Sequence, residues 1–171
     1  INEFDDYLSL NNKRELNAEE VTLGNIRDGI TEDFAYELEN NGISLEIILK
    51  GDEAALVSLD KAKSRRIIGN IFSNSVKHFK GERKQLQVTL DSDKEKIYII
   101  IDDSGEGVPE DKLEVIFEPL YTSDAGRKVA GLGLAICREI IELHNGRIYA
   151  EKSHLGGLRV CIELERLTKQ M

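Results

Sequence analysis

The stretch "KQLQVTLDSDKEKIYIIIDD", Lys84 to Asp103, holds two strand patterns with no helix between them. "QLQVTL" alternates polar and apolar residues, "IYIII" is almost continuously apolar, and the chain turns at Ser92 and Asp93. The same pairing recurs on both sides. Upstream, "ISLEIIL" (Ile43–Leu49) and "ALVSL" (Ala55–Leu59) flank a "KGDE" turn and read as a hairpin. Downstream, "RIYAE" and "LRVCIEL" read as a last antiparallel pair joined through "SHLGG".

Helical periodicity separates the pairs. Leu23, Ile26, Ile30, Phe34, Ala35 and Leu38 recur every three or four residues between Thr22 and Asn41, and "NNG" closes that helix. Two further helices are expected, over roughly Lys61 to Phe79 and from Leu132 to His144, the latter ending at a left-handed Gly146. Regular strand–helix–strand alternation implies a parallel sheet, whereas strands arriving in pairs imply a mixed, mostly antiparallel sheet with helices on one face. The expected fold is a two-layer α/β sandwich.

The chain has 171 residues, is 40% hydrophobic and carries a formal charge of −9. That length suits one domain with a sizeable core. No dense Lys/Arg run offers a stripe to nucleic acid or an anionic membrane. Cys137 and Cys161 fall in a helix and a strand pattern, as expected of buried thiols in a reducing compartment. No apolar window has membrane-spanning length, and no signal segment is visible. The chain opens on Ile1 and not on Met, so a piece of a longer protein is expected. Residues 1–19 read as a linker, in a polar stretch that continues to Val21, and residues 20–171 as the domain.

Three segments carry candidate chemistry. On the helix "KAKSRRIIGNIFSNSVKHF", Asn70, Asn74, Lys77 and His78 share an arc of about 100°, opposite Ile68, Ile71, Phe72, Val76 and Phe79. Asn is a poor helix former, because its amide competes for backbone hydrogen bonds. Its oxygen can ligate Mg²⁺, and an ammonium one turn on can meet phosphate. A solvated helix face accounts for the same pattern. In "IYIIIDDSGEGVP", Asp103 alternates onto the face of Ile97, Ile99 and Ile101, so it points coreward and needs a donor. An adenine amine is such a donor, whereas guanine presents an acceptor there; a Gly-rich turn capped by Asp is the plain alternative. Finally, "KVAGLGLAICREIIELHNG" fits neither a Rossmann fingerprint nor a Walker A loop. What remains is a glycine-bearing helix N-terminus, either an ordinary junction or an anion site where Gly131 and Gly133 admit phosphate oxygens. The segment before it, "YTSDAGRK", reads as a flap carrying two cations.

In this order and spacing, the segments resemble the catalytic ATP-binding domain of sensor histidine kinases, within the gyrase, Hsp90, histidine kinase and MutL ATPase superfamily. "NIFSNSVKH" resembles the N box, "DSGEGVP" the G1 box, "IFEPLYTSD" the F box and "GLGLAI" the G2 box. The resemblance implies a Bergerat-type sandwich that binds ATP and Mg²⁺. Asn74, assisted by Asn70, would hold the metal. Lys77 and Arg127 would contact the terminal phosphates. His78 would flank adenine, and Asp103 would accept from its amine. Gly105, Gly107, Val108 and Tyr121 would shape the base pocket, and Gly131, Leu132, Gly133 and Leu134 would lie by the phosphates.

Val129, Leu120 and Ser75 depart from the family pattern, which usually has Gly, an aromatic and Ala there. Superfamily members that hydrolyse ATP usually carry Glu, as general base, where Asn70 stands, and an amide cannot take a proton, so transfer to a protein is implied. His78, His144 and His154 do not fit a phosphoacceptor motif. The acceptor would be a His on a separate dimerisation domain of a homodimeric parent, which would pass the phosphoryl group to a response regulator receiver domain. The fragment itself is expected to be monomeric and cytoplasmic, and its parent can be membrane-anchored. A serine kinase of the anti-sigma type and a non-catalytic nucleotide-sensing module share the boxes.

Overall fold

The computed structural model describes residues 15–119 and 132–168. Its core is built outward from β5 (Lys96–Asp103), whose Ile97, Ile99 and Ile101 project to one face and are at most 3% exposed. The neighbours β4 (Gln85–Ser92) and β7 (Leu158–Leu167) are both antiparallel to it. Val88 and Val160 flank Ile101, and Leu90 and Ile162 flank Ile99, so apolar rows run across the sheet. Full burial of each such side chain contributes about 1.5–3 kcal/mol.

β6 (Arg147–Lys152) pairs with β7, β3 (Leu56–Leu59) pairs with the end of β7, and β1 (Glu19–Thr22) pairs with β3. β2 (Ser44–Leu49) closes the other edge against β4. The seven strands among the described residues run β1-β3-β7-β5-β4-β2, with β6 attached to β7, and curl into a half-barrel.

Among the described residues, three α-helices cover the apolar face: α1 (Leu23–Asn40), α2 (Lys61–Lys77) and α3 (Leu132–Leu143). α1 starts in a capping box, with the Thr22 hydroxyl accepting from the Asn25 N–H and the Asn25 side-chain oxygen accepting from the Thr22 N–H. It ends before Gly42, at φ 72°. α2 is capped by the buried Asp60, whose Oδ1 accepts from the Lys63 N–H and Oδ2 from the Asn17 N–H. Phe34 of α1 meets Phe72 of α2 edge to face, 5.2 Å between centroids. The expected two-layer sandwich is the observed architecture.

Four local expectations change. Ile43–Leu49 and Ala55–Leu59 do not form a hairpin: β2 runs parallel to β4, while β3 lies between β1 and β7. The Lys50 and Gly51 N–H groups donate to Leu90 O and hold the end of β2 on β4, so the following turn carries the chain to the opposite part of the sheet. Part of the stretch read as a linker, from Glu19, is strand β1, and Val21 is 2% exposed. The left-handed residue after α3 is Asn145, φ 57°, not Gly146. Gly146 is required by space instead, since a Cβ there would lie 2.6 Å from Glu163 O. On α2 the buried stripe is Ile67, Ile68, Ile71, Phe72 and Ser75, and Val76 is 42% exposed.

Candidate functional site

Asp103 ends β5 on the core face, opposite Leu86 of β4, and is 3% exposed. A carboxylate so placed needs donors, and three reach it. The Gly105 and Leu158 N–H groups each donate to Oδ1 at 3.0 Å, and the Ser75 hydroxyl donates to Oδ2 at 2.7 Å. The Asp103 carbonyl also accepts from the Gly157 N–H at 3.1 Å. A carboxylate offers about four acceptor positions. Among the described residues, three of those on Asp103 are filled and one on Oδ2 is left, which fits an adenine amine.

The turn after Asp103 is fastened to the end of α2. The Glu106 N–H donates to His78 O at 3.1 Å, and the Glu106 carboxylate bridges Lys80 at 2.7 Å and His78 Nδ1 at 3.1 Å. The hydrogen bond from Lys80, then that from His78, holds the Glu106 carboxyl below its usual range. Gly107 takes φ 73°, a conformation that strains side chains, and Val108 packs on the core. His78 caps α2 beside this turn.

Asn70 and Asn74 lie half-buried on α2, and Lys77 is exposed at its last turn. Asn70 Nδ2 donates to Gly133 O at 3.3 Å, tying α2 to the first turn of α3. With its nitrogen so engaged, the Asn70 oxygen is left as an acceptor, and a donor set of amide oxygens completed by phosphate oxygens suits Mg²⁺. Leu132, Gly133 and Leu134 form the start of α3, where the first N–H groups lack intrahelical partners. Tyr121, Arg127 and Gly131, with Leu120 and Val129, lie outside the described residues.

The structure thus brings Asp103, Gly105, Gly107 and His78 together around one turn and places Asn70 against α3. Sequence reasoning missed the Ser75 donor and the contribution of the last hairpin. The sequence marks Ser75 only as a departure from the family pattern, and "GG" at Gly156 and Gly157 reads only as a turn. A Cβ on Gly157 would lie 2.0 Å from Asp103 Oδ1 and 2.7 Å from both Asp103 O and Gly105 N, so that glycine is required by close approach. Beside Asp103, Asp102 alternates to the other face of the sheet and is 0% exposed, with Ser153 Oγ donating to its Oδ1 at 2.7 Å and Arg159 Nε at 2.8 Å.

Fold and site together define a nucleotide-binding α/β-sandwich domain. Residues 59–168 match the family described as histidine kinase-, DNA gyrase B- and HSP90-like ATPase, and the chain belongs to it. The sensor histidine kinase GtrS of Pseudomonas aeruginosa is 41% identical over 103 residues, covering 60% of this chain and 21% of that protein. The alginate biosynthesis sensor protein KinB of Pseudomonas aeruginosa is 36% identical over 126 residues, covering 74% and 21%. This chain therefore spans about a fifth (21%) of the length of these relatives. Histidine kinase ThkA, solved in complex with the response regulator protein TrrA, shares the fold at a TM-score of 0.80, with 23% identity over 96% of this chain and 46% of that one. No helix among the described residues is long and apolar enough to cross a membrane.

Proposed function

We propose that this domain binds ATP with Mg²⁺ and donates the γ-phosphoryl group to a His on a separate dimerisation domain of the same protein, for relay to a response regulator receiver domain. The observation that carries this reading is Asn70. Held by its bond to Gly133 O, it puts an amide, which cannot accept a proton from water, on the polar face of α2 next to the start of α3. In the transfer, the bond from the γ-phosphorus to the bridging oxygen breaks and ADP leaves. A bond to the imidazole nitrogen forms, and the imidazole gives up its N–H proton to solvent. Asp103 would orient the base, the first amides of α3 would face the phosphates, and Lys77 and Arg127 would neutralise charge on the terminal phosphates. Mg²⁺, held by Asn74 and Asn70, would supply further charge neutralisation.

The histidines of this chain have other work, which supports an acceptor elsewhere. His78 binds Glu106, His144 binds Ile140 O and the Asp60 N–H, and His154 binds Arg159. The parent is proposed to be a homodimer with this domain on the cytoplasmic side. The test supplies a His-containing dimerisation domain in trans with radiolabelled ATP. Acid-labile label on that domain, lost when Asp103→Asn replaces the wild type, is expected. Tight ATP binding with no label on any acceptor would overturn the transfer reading in favour of a nucleotide-sensing module, and acid-stable label on serine would point to a serine kinase.

A further inference from the structure

Ser75 is 2% exposed and belongs to the core stripe of α2, where a hydroxyl ordinarily bonds back to the carbonyl four residues earlier. Here it reaches out of its helix to Asp103 Oδ2 at 2.7 Å, a contact spanning 28 residues of sequence. We propose that Ser75 is a positioning residue for base selection: its hydroxyl fixes Asp103 Oδ2 so that the remaining acceptor position meets the 6-amino group of adenine. This inference rests on the base-pocket reading of Asp103.

The direction of the bond follows from chemistry. An ionised carboxylate only accepts, so the single hydroxyl proton of Ser75 is spent on Asp103. Toward a bound base, Ser75 and Asp103 then present lone pairs alone. Adenine offers a donor to that pair of acceptors, and guanine offers its 6-oxo acceptor, which leaves buried groups unpaired. Oδ1 is already pinned by the Gly105 and Leu158 N–H groups, so Ser75 supplies the contact that sets the second oxygen. The Leu158 side chain, apolar and buried, brings no hydroxyl of its own from β7.

The test compares nucleotides on the same folded protein. ATP, GTP and purine riboside triphosphate, which carries hydrogen in place of the 6-amino group, are titrated calorimetrically into wild type, Ser75→Ala and Ser75→Thr. Ser75→Ala is expected to weaken ATP about tenfold, the size of a lost hydrogen bond to a charged group. It should leave purine riboside triphosphate within about twofold, and so narrow the ATP-to-GTP ratio. Ser75→Thr retains the donor and should keep the wild-type ratio. An equal loss for ATP and purine riboside triphosphate, or no loss for either, would overturn the proposal. Asp103→Asn separates the two levels. If it leaves ATP affinity unchanged, the base-pocket reading itself fails; if it abolishes ATP binding while Ser75→Ala affects the two purines alike, only the role of Ser75 fails.

Discussion

Gly157→Ala should damage the proposed base pocket from a hairpin that lies outside all the sequence boxes. The added Cβ would lie 2.0 Å from Asp103 Oδ1, where ordinary contact begins at 3.4 Å, so one of the two must retreat by roughly 1.4 Å. Asp103 Oδ1 cannot do so and still accept from the Gly105 and Leu158 N–H groups, both now at 3.0 Å. Nor can the hairpin withdraw without parting the Gly157 N–H from Asp103 O at 3.1 Å. Overpacking and the loss of one hydrogen bond to a charged group together cost about 2.5–6 kcal/mol. For a domain of this size that lowers the melting temperature by roughly 5–24 °C. Displacement of the carboxylate should also weaken ATP by about tenfold to a hundredfold, one charged hydrogen bond's worth. Scanning calorimetry and ATP titration measure both. Gly29→Ala is the control: it lies inside α1, a Cβ there meets nothing within 4 Å, and it should stabilise by about 0.4–1 kcal/mol. A Gly157→Ala protein with wild-type melting temperature and ATP affinity would refute the seating of the hairpin on Asp103.

Three further outcomes are expected. Burial alone would raise the Asp60 carboxyl, but the Lys63 and Asn17 N–H groups and the Lys63 ammonium outweigh it and hold it below its ordinary 3.8. Its stabilisation is therefore complete above 3.8 and is lost as pH falls through the lower folded value, so Asp60→Asn should flatten the acid limb of a stability–pH curve; an unchanged limb would count against this. Arg159→Met leaves Asp102, 0% exposed, without its guanidinium and should cost about 3–5 kcal/mol, most of it recovered in the double variant with Asp102→Asn in denaturant melts. Burial pushes the Cys137 thiol up to about 12 and Cys161 up to about 11, and both are free, so neither should react with iodoacetamide at about pH 8 until the chain is unfolded.

Elements whose partners are implied by their own periodicity were legible in the sequence. The β4–β5 and β6–β7 pairs, the three helices and the coreward direction of Asp103 follow from alternation or from a 3.6-residue period over enough residues to be unambiguous. Pairing across distance was not legible. β2 and β3 each look like half of a hairpin, and the turn between them reports only that the chain leaves the strand. That β2 joins β4 in parallel depends on tertiary contacts such as the Lys50 N–H on Leu90 O, which no local rule encodes. β1 was hidden for another reason: among its four residues only Val21 is apolar, and an edge strand buried on one face needs no more.

The site divides along the same line. The residues that resemble boxes are legible in the sequence, but the contacts that aim them are not, because those contacts join separate segments of the chain. Asp103 is oriented by a helix residue 28 positions before it and by a strand residue 55 positions after it. Gly157 ends the turn between β6 and β7 and Leu158 begins β7, while Ser153 at the start of the turn and Arg159 of β7 hold the same hairpin on Asp102. Two adjacent carboxylates thus anchor one hairpin from opposite faces of β5, Asp103 by accepting its backbone N–H groups and Asp102 by binding its side chains. A change in the hairpin therefore reaches Asp103, the residue proposed to meet the base, through the protein alone, which is why its glycine, and not a residue of the boxes, offers the sharpest test of how the carboxylate is held.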